Sequence, residues 1–404
     1  MTWSNGDTSL SQTLTDNDHL YPAHINELRV AVDTLKSLVY NVKDYGATGD
    51  GTTDDTDAID DALTAIASST SKAGILYFPA GVYRRTTVIA LVATTSNVNI
   101  IGQGMNISEI KFDADVNGIT VDNSSTSNKH FLIQDISIST TQASTDKIAL
   151  SLTGRDSQES NFSVERVNFR GNGTAPVTTY WSTGILLTNG FYTDVRNCWF
   201  EGLSTDRTKS LYGIRLAGTS TNVRLIGNSY YFLNKGVYNV DDGTSEGVVI
   251  SDSHFVQCTR GVEWQSDGNM LTCIGNHVEV SEYGIFISTG GTTYGRFSTI
   301  TNNFILLTGT LTTKVGIQID GNYNIVSNNQ ILAAAETTNN IFGIVLEDDA
   351  DFCVVSGNIV IGCDNVGILV QSGATSNKVI GNTGTSNGTD YTDSGTSTTT
   401  SGNF

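Results

Sequence analysis

The chain has 404 residues, of which 38% are hydrophobic and 41 are glycine, a composition typical of a folded, turn-rich protein. Its formal net charge of −19 argues against DNA, RNA and anionic membranes as partners, because these require clusters of Lys and Arg. The five cysteines are scattered and have no metal-binding spacing, so we expect small buried thiols rather than a disulfide framework, a metal site or another cofactor site.

Residues 1–40 are predicted to form a helical attachment or oligomerisation segment. Apolar residues occupy heptad a and d positions in this segment, namely Ile25, Leu28, Val32, Leu35 and Val39. Two heptads are too few for an autonomous coiled coil, so the helix either packs on the rest of the chain or forms a short oligomerisation seam. The first residues have neither the basic nor the apolar region of a secretion signal, and no apolar run approaches a membrane span.

A second helix is predicted over residues 55–67. Asp54 or Asp55 caps it, and Ile59, Leu63 and Ile66 face one way. We expect this helix to cover the front end of the repeats described next, because an exposed ladder edge promotes aggregation. The nearby aspartates (Asp50, Asp54, Asp55 and Asp57) resemble a metal cluster, but turn formation and helix capping explain them better.

Two markers recur from about residue 100 to residue 382. The first is a glycine followed by an inward–outward–inward triplet, and from Gly184 its spacing varies from 23 to 32 residues; it begins at Gly118, Gly184, Gly213, Gly236, Gly261, Gly284, Gly316, Gly343 and Gly367. The second is an apolar residue, any residue, then Asn or Asp, ending at Asp135, Asn197, Asn228, Asp252, Asn276, Asn302, Asn328 and Asn382, with Asn358 uncertain by one residue and Arg166 breaking the rule.

These markers predict a parallel β-solenoid, an all-β fold. Gly and Asn adopt the left-handed conformation that a sharp corner needs, and short alternating strands between corners point apolar residues inward. A period in the twenties with no helical pattern is the signature of such coils. We therefore predict a β-solenoid domain over residues 41–382. Residues 383–404, rich in Ser, Thr and Gly, are predicted to be a loosely ordered tail or to wrap on a partner chain.

Two segments carry a family resemblance. Residues 42–59, with the run Asp54-Asp55-Thr56-Asp57, resemble the opening motif of the pectate-lyase-like superfamily, and residues 78–83 resemble its next landmark. The resemblance implies a right-handed, single-stranded parallel β-helix and a polysaccharide substrate. This opening is common in bacteriophage tailspikes and depolymerases, which are usually homotrimers joined to the virion tail through a short N-terminal segment. Residues 1–40 and the missing secretion signal resemble that phage type more than a secreted pectinase.

The family's catalytic landmarks are not recognisable in this chain. The polygalacturonase set, an Asn-Thr-Asp triplet, a paired Asp-Asp and a Gly-His-Gly, does not occur in order, and Asp241-Asp242 is an isolated pair. The calcium and arginine landmarks of pectate lyases are also missing. The resemblance therefore implies a fold and a substrate class and leaves the active site open.

The coil spacing of about 4.8 Å converts the repeat into rows of neighbouring side chains. The outward residue of the glycine triplet forms one row, Leu186, Arg215, Tyr238, Glu263, Phe286, Gln318, Val345 and Leu369, and a second row two residues on includes Asp320 and Glu347. Aromatic faces, a guanidinium and carboxylates together suit a sugar chain, so Arg215, Tyr238, Phe286 and Gln318 are predicted to bind substrate. A plain solvated face or a trimer interface is the alternative.

A carboxylate pair is expected if the protein hydrolyses a glycan. We predict that the acid and the base or nucleophile come from Glu263, Asp320 and Glu347. Asp320 and Glu347 are one coil apart, near the retaining distance of about 5 Å, whereas Glu263 and Asp320 are about two coils apart and nearer the inverting range.

Three other features compete for a functional role. Outward residues beyond the Asn corner form a second face, with His254 and His277 as candidate bases for a lyase; its other members are Trp199, Glu201, Tyr230, Glu279 and Glu282. Long insertions at residues 171–182, with Trp181 as a binding residue, and at residues 288–297 are predicted to wall a groove. The acidic run at residues 347–351 either holds calcium or is a solvated turn.

These patterns lead to three functional hypotheses. The first is a phage tailspike that binds and hydrolyses a bacterial surface polysaccharide, such as capsule, lipopolysaccharide or exopolysaccharide, and that resides on the virion tail. The second is a tail fibre or adhesin of the same fold that only binds glycan. The third is a free microbial polysaccharide lyase or hydrolase.

Overall fold

The computed structural model describes residues 26–30, 38–92, 97–125, 130–155, 161–172, 178–239, 245–265, 269–288, 295–334 and 340–403. Residues 26–30 are helical, and Leu28 and Val30 are exposed there. Val32 and Leu35, on which the heptad prediction also depends, lie outside the described residues, as do Asp241 and Asp242.

The chain winds into a parallel β-helix whose strands form three faces. Face 1 carries the glycine marker and comprises β5 (Ile89–Val92), β8 (Ile119–Asp122), β10 (Ile148–Thr153), β12 (Thr183–Thr188), β15 (Tyr212–Ala217), β18 (Lys235–Asn239), the second halves of β20 (His254–Gln265) and β22 (His277–Ser288), β25 (Thr313–Ile319), β28 (Asn340–Leu346), β31 (Val366–Val370) and β34 (Thr389–Asp393).

Face 2 follows face 1 along each coil. It comprises β1 (Val39–Asn41), β3 (Ala73–Phe78), β6 (Asn97–Gly102), the first halves of β9 (His130–Thr140) and β11 (Asn161–Gly171), β13 (Asp194–Arg196), β16 (Arg224–Ile226), β19 (Val249–Ser251), β21 (Thr272–Ile274), β23 (Thr299–Thr301), β26 (Ile325–Ser327), β29 (Val354–Ser356), β32 (Lys378–Ile380) and β35 (Thr399–Ser401).

Face 3 lies beyond the Asn corner. It comprises β2 (Asp50–Asp54), β4 (Gly81–Arg85), β7 (Ser108–Phe112), the second halves of β9 and β11, β14 (Trp199–Glu201), β17 (Ser229–Tyr231), the first halves of β20 and β22, β24 (Phe304–Leu307), β27 (Gln330–Ala333), β30 (Ile359–Ile361) and β33 (Thr383–Thr385). The prediction of a parallel β-helix is confirmed.

The strand register agrees with the row predicted from the glycine marker. Leu186 pairs with Arg215, Arg215 with Tyr238, Tyr238 with Glu263, Glu263 with Phe286, Phe286 with Gln318, Gln318 with Val345, and Val345 with Leu369. Every pairing is parallel, so each residue contacts its equivalent on the next coil. Sequence positions therefore give the vertical neighbours on face 1 directly.

Large side chains fill the interior in columns. Phe169, Phe200, Tyr230 and Phe255 stack with ring centroids 5.0, 5.1 and 4.5 Å apart. Tyr230 is fully buried, so the prediction that it faces outward was wrong. The prediction failed because the inward–outward alternation of one strand was continued past a corner, where the alternation shifts by one residue. All five cysteines are buried and unpaired, as expected.

The Asn marker combines two adjacent structural positions. One is the left-handed corner residue, such as Asn302 and Asn328, whose φ angles are 56° and 55°. The next residue is a buried Asn whose side chain accepts from the backbone of the coil before and donates to interior carbonyls. This ladder runs through Asn276, Asn303, Asn329, Asn358, Asn382 and Asn403. The two positions explain the one-residue uncertainty at Asn358.

The helix Thr56–Ser68 covers the front end of the coils. Ile59, Ala62 and Ile66 are buried against the core, while Leu63 is partly buried. Asp55 occupies the N-cap position of this helix, but its carboxylate makes no capping bond and instead accepts the amides of Thr48 at 2.6 Å and Gly49 at 3.2 Å. Asp54 Oδ1 accepts from the amide of Thr56, the first helical residue, at 3.0 Å, as one of the two predicted caps. The aspartates of this region thus stabilise turns. In the part of the chain described, no helix is both long and apolar enough to cross a membrane.

The C-terminal residues continue the β-helix. Strands β33, β34 and β35 pair in parallel with β30, β31 and β32, which carries the ladder to Ser401. The prediction of a loosely ordered tail after residue 382 was therefore wrong. Ser, Thr, Gly and Asn bury little apolar area, but their backbone groups still form the ladder hydrogen bonds of an added coil.

Candidate functional site

Face 1 carries a group of aromatic and basic side chains, here called the aromatic–basic patch: Tyr212, Arg215, Lys235, Tyr238, Arg260, Tyr283 and Phe286. Two parallel rows supply it. The first is the predicted outward row, and the second consists of the residue before each glycine, in which Tyr212 pairs with Lys235, Lys235 with Arg260, and Arg260 with Tyr283. Because consecutive strands are in register, these side chains lie on four adjacent coils.

Ring stacking and cation–π contacts hold the patch together. Tyr212 and Tyr238 stack with centroids 5.0 Å apart, and Lys235 Nζ lies 3.8 Å from the Tyr238 ring centroid. Tyr283 stacks on Phe286 at 4.8 Å. Such contacts fix amphipathic rings that remain partly accessible, which is the arrangement that sugar rings bind.

Glu263 lies beneath the patch and does not reach solvent. Its side chain is fully buried, and its two carboxylate oxygens lie 2.8 Å from Lys235 Nζ and 2.6 Å from Arg260 Nη1. Arg260 also forms two bonds of 2.7 Å to Glu282. The prediction that Glu263 acts on substrate is contradicted, because neighbouring side chains cover an outward-pointing carboxylate. Glu263 instead holds the two cations under the rings.

Trp181 is also misplaced by the prediction. Its side chain is 4% exposed, packs edge-on against Phe112 and donates from Nε1 to the carbonyl of Ile138 at 3.3 Å. It is a core residue and not a groove wall, because its ring packs among buried side chains. Residues 173–177 and 289–294 of the two predicted walls lie outside the described residues.

Asp320 and Glu347 form the carboxylate pair of face 1. Each directly follows a face 1 strand, β25 or β28, and those strands pair Ile319 with Leu346, so the two residues lie one coil apart, about 5 Å. Both side chains are partly buried. Burial raises the pKa of Glu347 to about 7, and the nearby charges of Asp320 and Asp348 add to the effect. A carboxyl group that keeps its proton near neutral pH is suited to donate it.

The carboxylate pair is continuous with the aromatic–basic patch. Gln318 pairs with Phe286 and is partly exposed, and it lies two residues before Asp320. Burial raises the pKa of Tyr283, and the charges of Glu282 and Glu347 act on the same phenol. Of the predicted substrate-binding residues, Arg215, Tyr238, Phe286 and Gln318 therefore share one face with the pair.

Two more aspartates lie beside the pair on an exposed turn. Carboxylate oxygens of Asp320, Asp348 and Asp349 lie within 4.8 Å of one another, a donor set of the kind that hard cations bind. Asp351 belongs to a different contact, because its Oδ1 accepts from the amide and hydroxyl of Thr375. The closeness of the three carboxylates fits the calcium alternative, and the exposure of Asp348 and Asp349 fits a solvated turn equally well.

Face 3 presents the competing set. His254 and His277 are exposed on adjacent coils, and their rings stack 5.8 Å apart. Trp199 is 39% exposed and stacks on Tyr231 at 4.9 Å. Among the described residues, no ion pair joins either imidazole to a carboxylate, so no carboxylate orients these rings as a base.

Sequence reasoning missed the row before the glycines. Tyr212, Lys235, Arg260 and Tyr283 each immediately precede a marker glycine, so a simple alignment of the coils on that glycine would have revealed them. Such an alignment does not show whether a side chain is buried beneath its neighbours. Whether Glu263 is open or buried depends on the length and direction of side chains from three coils.

Comparison with known proteins assigns the family. A family model described as Rhamnogalacturonase A/epimerase, pectate lyase-like, matches residues 39–263, more than half of the chain. The chain belongs to this family, and the resemblance to the pectate-lyase-like superfamily is confirmed.

Individual relatives match only in part. Alginate lyase 7 of Azotobacter vinelandii is 35% identical over 147 residues, which cover 33% of this chain and 17% of that protein. The chain thus spans less than a fifth of that relative's length. The N-terminal fragment of bacteriophage phi29 gene product 12 superposes with a TM-score of 0.65 at 16% identity, covering 90% of this chain and 65% of that chain.

A second solved structure has the same fold. The surface adhesin PfbA of Streptococcus pneumoniae superposes with a TM-score of 0.60 at 17% identity, covering 89% of this chain and 99% of that chain. At such identities the superpositions show a shared β-helix.

Proposed function

We propose that this protein binds a bacterial surface polysaccharide along face 1 and cleaves it by hydrolysis at Asp320 and Glu347. The observation that carries the proposal is the pair of half-buried carboxylates one coil apart on this face, in which burial raises the pKa of Glu347 to about 7. The aromatic–basic patch lies on the same face and supplies stacking surfaces and cations for the flanking sugar units. The family and the match to an alginate lyase support a polysaccharide ligand.

The proposed chemistry follows from the spacing. Protonated Glu347 donates its proton to the glycosidic oxygen as the bond to the leaving sugar breaks. Ionised Asp320 attacks the anomeric carbon and forms a glycosyl ester, because a separation of about 5 Å leaves no room for a water molecule between carboxylate and sugar. Water activated by ionised Glu347 then hydrolyses the ester and restores both groups.

The test uses purified full-length protein and a panel of bacterial capsules, lipopolysaccharides, exopolysaccharides and alginate. New reducing ends and absorbance from unsaturated sugars are measured together. Hydrolysis gives reducing ends without unsaturation. Asp320→Asn and Glu347→Gln should each abolish cleavage, whereas Glu279→Gln, a carboxylate change on face 3, should leave the rate unchanged. Equal cleavage by all variants would contradict the assignment.

A lyase is the second candidate, supported by the match to an alginate lyase. In that case the same assay gives reducing ends and unsaturated products together. A binder that does not cleave, the third candidate, is supported by the fold shared with an adhesin and gives neither signal while still retaining the glycan.

We also propose a homotrimer that residues 1–40 join to a virion tail, with the β-helix, which continues to Ser401, as the glycan-binding domain. Support comes from a stripe on faces 2 and 3 between β23 and β30 with no charged outward residue in a chain of net charge −19. This uncharged stripe consists of Thr299, Thr301, Phe304, Leu306, Ile325, Ser327, Gln330, Leu332, Val354, Ser356, Ile359 and Ile361. Because each copy carries a net charge of −19, the other surfaces of two copies repel each other. The copies would therefore associate through this uncharged stripe.

A further inference from the structure

The turn from face 1 to face 2 forms a second aromatic column outside the proposed active site. One residue per coil adopts a left-handed backbone there, and its amide donates to a carbonyl of the next coil. This corner row consists of Tyr192, Asn222, Gly247, Met270, Phe297, Tyr323 and Phe352. Asn and Gly adopt this conformation readily, but bulky residues rarely do. The aromatic residues are therefore held at the corner against their own backbone preference.

The C-terminal part of the corner row is a continuous stack of rings. Phe297, Tyr323 and Phe352 lie with ring centroids 5.3 and 5.2 Å apart and planes within 13° of parallel. Each ring therefore covers the faces of its neighbours. Tyr323, the middle ring, is therefore covered on both faces and leaves little ring surface for a ligand.

In the N-terminal part of the corner row, the stack of rings is interrupted. Tyr192 is 51% exposed, and the next two coils carry Asn222 and Gly247, neither of which has a ring. A cavity of about 420 Å³ lies at this gap, lined by Tyr192, Asn222, Arg224, Gly247 and Val249. That volume falls in the range of about 300–1,000 Å³ typical of small-molecule sites.

The wall of the gap offers a fixed pair of hydrogen-bonding groups. Arg224 binds Asp194 through Nε at 2.6 Å and Nη2 at 2.7 Å, which holds the guanidinium flat and leaves its Nη1 edge for another acceptor. Arg196 also contacts Asp194, at 3.2 Å. A stacking ring beside a forked donor and a carboxylate is the chemistry that recognises a pyranose with adjacent hydroxyl groups.

We propose that the gap in the corner row binds one pyranose unit of the polysaccharide, stacked on Tyr192 and hydrogen-bonded to Arg224. The next three coils, spaced about 4.8 Å apart, carry Asn222, Gly247 and Met270 at this row, so the sugar ring would occupy the kind of space that aromatic rings fill at Phe297 and Tyr323. This subsite rests on the proposed function, because it takes the same ligand. It would hold the chain on the edge of face 1 at a distance from Asp320 and Glu347.

The test compares variants by their retention on the polysaccharide panel and by calorimetric affinity for the glycan that wild type binds. Tyr192→Ala should weaken binding about tenfold, which corresponds to about 1.4 kcal/mol, while Tyr192→Phe should retain it. Asn222→Tyr should also weaken binding, because the new ring would occupy the gap beside Tyr192 in a backbone conformation that Tyr323 already adopts. Tyr323→Ala, which removes a ring of similar exposure outside the gap (45% against 51% for Tyr192), is the matched control and should bind normally.

The outcomes separate this subsite from the proposed function. Wild type that binds no glycan contradicts both. Wild type that binds, with Tyr192→Ala and Asn222→Tyr unchanged, contradicts the subsite alone, as does an equal loss in Tyr323→Ala. Asn222→Tyr that loses self-association in light scattering but keeps glycan affinity would assign the gap to a second copy of the chain and overturn the proposal.

Discussion

Glu347 is the residue whose environment bears most directly on catalysis. It must hold a proton to act as the acid, and burial and two neighbouring carboxylates raise its pKa to about 7. We therefore predict that kcat/KM for glycan cleavage falls as pH rises through about 7, where the acid loses its proton. A pH–rate profile measures this, and a rate that stays level to pH 9 would contradict the role. Glu347→Gln should reduce kcat by about 10²–10⁴-fold, which leaves no cleavage detectable in the product assays.

Glu263 should behave as a structural residue. Its buried carboxylate neutralises Lys235 and Arg260, and removing one partner of a buried pair typically costs about 3–5 kcal/mol. We predict a loss of that size for Glu263→Gln in urea unfolding. The matched control is Glu282→Gln, which removes the other, partly exposed partner of Arg260 and should cost about 1 kcal/mol or less. Equal losses would contradict the burial argument.

The sequence predicted which residues are neighbours on adjacent coils, but it did not predict which side chains are buried beneath others. The glycine marker placed Glu263 opposite Tyr238 and Phe286, as the register shows. It did not show that Lys235 and Arg260 reach over the carboxylate, because that depends on long side chains from separate coils. Trp181 failed for a related reason: an insertion looks like a surface loop until its apolar residue packs inside.

The Asn ladder is the element that ties successive coils together. Asn329 is fully buried, accepts from the backbone and side chain of Asn303, and donates to Asn358 and to the carbonyl of Ile300. Asn329→Ala leaves these groups unsatisfied, and we predict a loss of about 1–3 kcal/mol in urea unfolding.

A neighbouring substitution provides the control. Asn328 is the left-handed corner residue with φ of 55°, and glycine adopts that conformation without strain. Asn328→Gly should therefore change stability by less than about 1 kcal/mol. If Asn328→Gly were as destabilising as Asn329→Ala, the corner and not the ladder would carry the stability. The sequence marker alone treated these two positions as one.

The whole molecule is predicted to be a trimer that associates through the uncharged stripe. Ile325 is 43% exposed at its centre, and Ile325→Glu would place a charge inside the contact. We predict that light scattering of the wild type gives three times the chain mass and that Ile325→Glu gives the monomer mass. Thr272→Glu, on face 2 outside the stripe, should remain trimeric. A monomeric wild type at all concentrations would contradict the trimer.

The overall architecture was more predictable than its ends. Coil periodicity is a local property repeated many times, so the β-helix and its register follow from the sequence alone. The tail was misjudged because composition reports apolar burial, whereas residues 383–401 are ordered through backbone pairing with β30, β31 and β32.

The stereochemistry of the product tests the central claim most directly. Proton NMR of a cleavage reaction, recorded before mutarotation, shows whether the new reducing end keeps the anomeric configuration of the cleaved bond. A carboxylate pair about 5 Å apart predicts retention, with no product from Asp320→Asn or Glu347→Gln. Inversion, an unsaturated product, or undiminished cleavage by both variants would contradict the assignment of this pair.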